Sequence, residues 1–369
     1  MMNSWQFIQM AALAPDWPGG FWWHLVLLSV IIIGFLMTGV ILFIWYERKL
    51  IGRFQIRLGP NRSGPFGLLQ PVADVLKILT KEDIIPTRAD KIVFWLAPLV
   101  AFVPVLMMLA VVPLREGLQL VDLNIGLVYI VAVSSISAIG IFMAGFAGNN
   151  KYGLIGAMRS VALLMSYEIP LVLALASIVI ATGSLAISDI VAAQTLPFIL
   201  VQPLAFVIYF ISTLAEINRS PFDIVEADSE LSSGFNIEYS GMKFAVLYLV
   251  EYSEAVVASA LITTLFLGGW QGSLLPPIVW FILKMFAVFS FILWLRSTLP
   301  RLRVDQALSF AWKFLLPLSL INLVLTAVTT VLWPDISSWV TVPVSLVTGA
   351  MLIVLWSRFF KPGRQATIG

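Results

Sequence analysis

The chain reads as an all-α integral membrane protein of about nine transmembrane helices, with a cytoplasmic amphipathic surface helix after the first span. Three observations predict this. Hydrophobic residues fill 60% of the 369 positions and charged residues only 11%, with a mean hydropathy of +0.98, far from a soluble composition. Apolar stretches recur at 21–45, 93–113, 126–147, 161–182, 197–215, 243–267, 277–296, 308–332 and 338–358, each near the ~20 residues a helix needs to cross hydrocarbon. The basic residues are lopsided: alternating nine spans places 20 of the 22 Lys and Arg on one side, which the positive-inside rule makes cytoplasmic.

The elements follow in order. Residues 1–20 carry no Lys or Arg, a poor signal peptide, so the run 21–45 is a retained first helix with the N-terminus outside. His24 sits beside Trp22 and Trp23, where interfacial aromatic residues gather, and reads as structural. Next comes the polar block ERKLIGRFQIRLGPNRSGPFGLLQPVADVLKILTKE from Glu47. Its Gly-Pro-Asn and Ser-Gly-Pro runs are turn signals. From Phe66 to Thr80, Leu69, Val72, Leu76 and Leu79 share one face, with Asp74, Lys77 and Lys81 on another, the pattern of a helix lying on the membrane surface. The block either only fixes orientation or docks a partner through its arginines. Prolines such as Pro98, Pro104, Pro170 and Pro317 fall inside spans, where neighbouring helices resatisfy a kinked backbone. The whole of 1–369 is one polytopic domain: a core of eight spans over 21–332, then a ninth span and basic tail over 338–369. The second, third and fourth cytoplasmic segments are 148–160, 216–242 and 297–307.

The segment from Glu216 to Glu254 breaks the pattern. It holds eight of the 20 acidic residues against two basic ones, Arg219 and Lys243, on a side where basic residues dominate. Glu168 lies in the fourth span. Glu251 and Glu254 lie inside the sixth, three residues apart and therefore on one helix face. Carboxylates in such places mark ion, proton or headgroup chemistry. A structural ion pair is the bland alternative, for instance with Lys284 in the seventh span. The four carboxylates Glu168, Glu216, Glu251 and Glu254 together favour a shared polar path.

The absence of cysteine excludes disulfides, thiolate-held iron–sulfur clusters and Cys-based zinc sites on this chain. One histidine leaves little scope for haem. Any electron carrier therefore belongs to a partner.

Four stretches then carry a resemblance: the block from Glu47, the NNKYGLIGAMRS and MSYEIP pair, EINRSPFDIVEADSELSSGFNIEYSGMKFAVLYLVEY, and WLRSTLPRLRVDQALSFAWKFLLPL. Over roughly residues 30–330 the sequence resembles the H-subunit family of respiratory NADH:quinone oxidoreductase, complex I. The resemblance implies a membrane subunit that forms much of the quinone chamber and begins a path of buried carboxylates for proton translocation. It implies no cofactor on this chain, quinone as substrate, and FMN and iron–sulfur clusters on partner subunits. Those partners are a hydrophilic subunit with the terminal cluster and small membrane subunits leading to antiporter-like ones; nucleic acid has no part.

By resemblance, Glu47, Arg48, Arg57, Arg219 and Phe222 belong to the quinone chamber, with Asp74, Lys77 and Glu82 near it. Glu168, Glu216, Glu251, Asp223, Glu226 and Asp228 belong to the proton path and its coupling, with Tyr167 and Glu230 beside them. Lys151, Tyr152 and Arg159, then Arg296, Arg301, Arg303 and Asp305, match the neighbouring cytoplasmic loops. Asp228 stands where many relatives have Glu. The ninth span follows the usual eight-span core. The implied location is the bacterial cytoplasmic membrane, with the charged loops and C-terminus inside. The alternatives are a homologous subunit of a ferredoxin-linked oxidoreductase or membrane-bound hydrogenase, a scaffold for a redox arm, or a stand-alone ion transporter. Against the transporter, no inverted repeat with paired broken helices is evident.

Overall fold

The computed structural model describes residues 20–332 apart from 117, 225–233 and 273–274, and beyond them only positions 343, 347, 349–351 and 354. The order is α1 (Gly20–Phe54), α2 (Gln70–Leu79), α3 (Lys91–Val111), α4 (Gly126–Ala147), α5 (Lys151–Thr182), α6 (Ile187–Ala192), α7 (Phe198–Val201), α8 (Pro203–Glu216), α9 (Gly241–Phe266), α10 (Pro277–Thr298), α11 (Val304–Phe310) and α12 (Leu316–Leu332). The chain is all-α. Among the described residues the one β feature is a bridge between Arg115 and Leu118.

Among the described residues six helical runs are long and apolar enough to cross a membrane: α3, α4, α5, α9, α10 and Val304–Val331. α1 has 35 residues, roughly 50 Å at 1.5 Å per residue. That exceeds a hydrocarbon core of about 30 Å. The helix therefore does not stop at 45 but carries Glu47, Arg48 and Lys49 on its continuation. Arg53 in the last turn suits the negative end of the helix dipole.

The stretch 197–215 is not one helix. Gln202 adopts φ −130°, ψ 63° ahead of Pro203 and separates α7 from α8, because the residue before a proline is pushed out of the α region. α8 has 14 residues, about 21 Å of helix, too short to span alone. The stretch 338–358 lies largely outside the described residues.

Close approach of helices depends on missing side chains. At Gly140 of α4 a Cβ would sit 2.6 Å from the Ala101 nitrogen of α3, so only glycine lets these backbones meet. Between α11 and α12 the helix widens into a π turn over Ala311–Leu315. Pro317 follows two residues later. Its ring would collide with the Lys313 carbonyl in a regular helix, and the wider turn relieves that.

α9 is the central helix. All residues from 252 to 266 are buried, as befits a helix apolar on every side. Its C-terminal end is tied by polar side chains. The Gln194 amide donates to the carbonyls of Thr264 (2.9 Å) and Leu265 (3.1 Å). Lys284 of α10 donates to those of Leu267 (2.6 Å), Gly269 (3.1 Å) and Gln271 (2.8 Å). Lys284 thus caps the end of a helix with its charge and is not the partner of a membrane carboxylate.

Candidate functional site

The C-terminal parts of α1 and α10 and the N-terminal half of α9 meet the turn after α8, and four charged side chains converge there. Glu47 points inward from α1. Arg219 follows α8 and is 2% exposed. Its Nη1 donates to Glu47 Oε1 at 3.1 Å, and its Nε lies 3.5 Å from Glu251 Oε1. Arg296 of α10 closes on the same Glu47 oxygen. The Arg219 guanidinium lies 4.4 Å from the centre of the Tyr252 ring.

Two carboxylates face two guanidiniums, a group with no net charge. Burial works against the Arg219 cation, but the charges of Glu47 and Glu251 outweigh it and hold its pKa above the ordinary arginine value. A buried ion network of this kind is not a stability device in itself, since desolvation offsets most of the attraction. Arg219 Nη2 is also buried with no hydrogen-bond partner, leaving a donor free for a water or ligand oxygen.

A groove opens beside this cluster, between α1, α2 and the start of α9. Its volume is about 590 Å³, within the size range of small-molecule sites. Apolar side chains such as Ile44, Val75, Phe244 and Leu249 line it together with Arg48, Asp74 and Tyr248. Arg48 and Asp74 pair across it. On α2 the side chains of Leu69, Val72, Leu76 and Leu79 are all exposed, so the apolar face predicted for the surface helix stays uncovered beside the groove.

From the groove a continuous string of polar groups runs inward. Tyr248 lines the groove, and its hydroxyl meets that of Tyr252 at 3.1 Å. Tyr252 touches Arg219, and Arg219 reaches Glu251. Glu251 and Glu254 share a cavity of about 30 Å³ with Asn218. Glu254 also lines a second cavity of about 40 Å³ with Ser134, Ser137, Thr213 and Glu216. Each has room for water, which needs roughly 10–15 Å³ of such space per molecule. Among the described residues the Asn218 side-chain oxygen is buried without a protein partner. Next to the lining residue Ser134, Ser135 of α4 donates to Glu168 of α5.

The sequence profile of the NADH dehydrogenase family matches residues 27–327. The chain belongs to that family. Among its relatives it is 59% identical over 343 residues to the H subunit of NADH-quinone oxidoreductase from Dehalococcoides mccartyi, covering 93% of this chain and 97% of that one. The corresponding protein of Brevibacillus brevis is 50% identical over 337 residues, with 89% and 97% covered. That of Geobacillus kaustophilus is 49% identical over 308 residues, with 82% and 91% covered. Family membership and the apolar helices make this a multi-pass membrane protein.

Within that family frame, the structure brings Glu47, Arg219 and Glu251 together, links Glu216 and Glu168 to them through Glu254 and α4, and sets Arg48 in the groove. Phe222 is buried with its ring edge-on to Tyr167 at 5.0 Å, and the Tyr167 hydroxyl donates to the Ala307 carbonyl at 2.9 Å. That is packing beside the string rather than a place in it. Asp223 pairs with Arg301 at 3.2 Å. Arg57 is exposed and bonds only locally, to Gln55 at 2.7 Å, so it does not join the groove. Glu226, Asp228 and Glu230, the side chain of His24 and the basic tail lie outside the described residues.

Four features of the site are hidden from sequence. Arg296 is legible there only as a loop charge, because nothing local says that it folds back onto Glu47. Glu254 stands out as a membrane carboxylate, but not as the residue shared by two cavities. Ser134, Ser135 and Ser137 leave a signal in the serines of SSIS within an otherwise apolar span. Tyr248 and Tyr252 leave one in their four-residue spacing.

Proposed function

We propose that this chain is the quinone-access and proton-coupling membrane subunit of a proton-translocating NADH-quinone oxidoreductase, acting only within the assembled complex. The observation that carries the reading is the string of polar groups from Tyr248 in the groove to Glu216 at the second cavity, with Glu168 held by the neighbouring Ser135 of α4. The groove takes a long apolar quinone from the bilayer, with α2 on the membrane surface and its uncovered apolar face in lipid. Arg48, Arg219 and the free Nη2 donor stabilise negative charge that develops as the headgroup is reduced. Electrons come from an iron–sulfur cluster on a hydrophilic partner, with FMN further back, since this chain lacks cysteine.

Reduction of a quinone takes up two protons. The carboxylates Glu251, Glu254, Glu216 and Glu168 respond as a coupled set through the water-sized cavities and carry the effect toward the small membrane subunits and the antiporter-like ones. Asp223, paired with Arg301, flanks the site from the loop, and the resemblance assigns Glu226 and Asp228 to the coupling. The reading places the N-terminus outside, the charged loops and C-terminus in the cytoplasm of a bacterium, and nine spans in its inner membrane, with α8 supported by its neighbours.

The test is Glu216→Gln or Glu251→Gln in the assembled complex, with quinone reduction and proton pumping measured together. Loss of pumping, with or without loss of reduction, is expected. Full retention of both in each variant would remove the carboxylates from the mechanism.

A further inference from the structure

Lys243 is a residue that neither the charge cluster nor the polar string uses. It stands in the first turn of α9 and is 5% exposed. A cation there is disfavoured twice, by burial and by the positive end of the helix dipole. Three partners compensate. Nζ donates to Asp83 Oδ2 at 2.7 Å, and it lies 3.9 Å from the centre of the Trp95 ring and 5.3 Å from that of Phe94.

The surroundings knit the same two segments together. Ser240 accepts from the Ile84 amide at 2.8 Å and donates to the Glu82 carbonyl at 3.3 Å. The Tyr239 ring stacks on Phe94 at 4.1 Å and an interplanar angle of 1°. Gly241, at φ +55°, has Lys81 and Glu82 carbonyls beside it. The residues so fastened are the groove's own wall: Lys81, Tyr239, Ser240, Gly241 and Phe244 all line it. At the opposite side the groove is closed by the Arg48–Asp74 pair between α1 and α2. The groove is therefore tied at two points: α1 to α2 by Arg48 with Asp74, and the α2–α3 connection to α9 by Lys243 with Asp83.

We propose that Lys243 and Asp83 are positioning residues: a latch between the start of α9 and the α2–α3 connection that sets the width of the groove and so the passage of a long-tailed quinone. This rests on the groove being the quinone's way in. Breaking the latch lets the α2–α3 connection shift away from α9. A long isoprenoid tail must thread the whole groove, whereas a short-tailed analogue does not. The effect therefore falls on the ratio of their KM values more than on kcat.

The experiment uses the assembled complex in its membrane. The variants are Lys243→Met, Asp83→Asn, the double variant, Lys243→Arg, and Ala245→Trp as a plug of the groove itself. The readouts are KM and kcat for an isoprenoid-tailed quinone and for its short-tailed analogue. Lys243→Met and Asp83→Asn each raise the KM ratio of long to short tail by about fivefold, the double variant does no more than either alone, and Lys243→Arg stays within about twofold of the parent. If Lys243→Met prevents assembly, Asp83→Asn carries the test, since Asp83 is partly exposed. An unchanged KM ratio in Asp83→Asn, or equal losses of kcat for both quinones with the ratio constant, overturns the latch. If Ala245→Trp leaves the long-tailed KM unchanged, the groove itself is not the path and the underlying reading fails. If Ala245→Trp raises it while Asp83→Asn does not, the latch alone fails.

Discussion

Replacing Arg219 with glutamine tests how the buried charge group is held together. Arg219 serves two carboxylates, Glu47 at 3.1 Å and Glu251 at 3.5 Å. They do not depend on it equally. Glu47 keeps Arg296, whereas the structure gives Glu251 no ion pair besides Arg219 among the described residues. Removing one partner from a buried pair costs about 3–5 kcal/mol, because a charge is left uncompensated. Glu251 retains some exposure, 17% of its side chain, so the low end, about 3 kcal/mol, applies. With 1.36 kcal/mol per factor of ten, that is roughly a hundredfold in the rate of heat inactivation of the complex.

The rescue pattern decides the matter. Adding Glu251→Gln to Arg219→Gln removes the stranded charge and recovers about 1–3 kcal/mol, as expected for coupled neighbours. Adding Glu47→Gln instead strands Arg296 and recovers nothing. The assay is the inactivation rate of membranes carrying each variant, followed by the amount of intact complex. Equal rescue by the two second changes, or better rescue by Glu47→Gln, would refute the assignment of Glu251 as the carboxylate that Arg219 neutralises.

Other consequences are as specific. Glu254→Gln removes the only carboxylate common to both small cavities, so proton pumping falls by about 10-fold or more while the assembled complex persists; pumping at the parent rate contradicts the linkage. Gly140→Val places side-chain atoms where a Cβ already meets the Ala101 nitrogen at 2.6 Å, and overpacking of about 1–3 kcal/mol lowers the amount of intact complex on native gels. Lys284→Met leaves three carbonyls without their donor, a loss of about 1–3 kcal/mol, read as faster heat inactivation with proton pumping per quinone reduced unchanged.

The helical architecture was legible because hydrophobic runs of spanning length admit few alternatives in lipid. The amphipathic pattern of α2 was equally plain, since leucines on one face and charges on another leave no other helix. What escaped was everything decided by distance across the bundle. The run 197–215 looks continuous by hydropathy, and only the conformation of Gln202 before Pro203 splits it. Glu251 and Glu254 could be placed on one face from their spacing, yet Arg219 reaches Glu251, and Arg296 reaches Glu47, from other elements. Lys284 looked like half of an ion pair because sequence cannot show that backbone carbonyls at the end of α9 converge on it. Lys243 looked like one of two stray cations in an acidic segment, and its aromatic partners come from α3, about 150 positions away.

Arg219 carries one further consequence. With Glu47, Glu251 and Arg296 it forms an electrically balanced foursome largely withdrawn from water. A single added electron or proton within about 4 Å changes the energy of each member by about 4 kcal/mol at an effective dielectric of 20. Side-chain shifts of tenths of an ångström do not absorb so large a step. A charge that arrives beside the group is therefore felt by all four members at once.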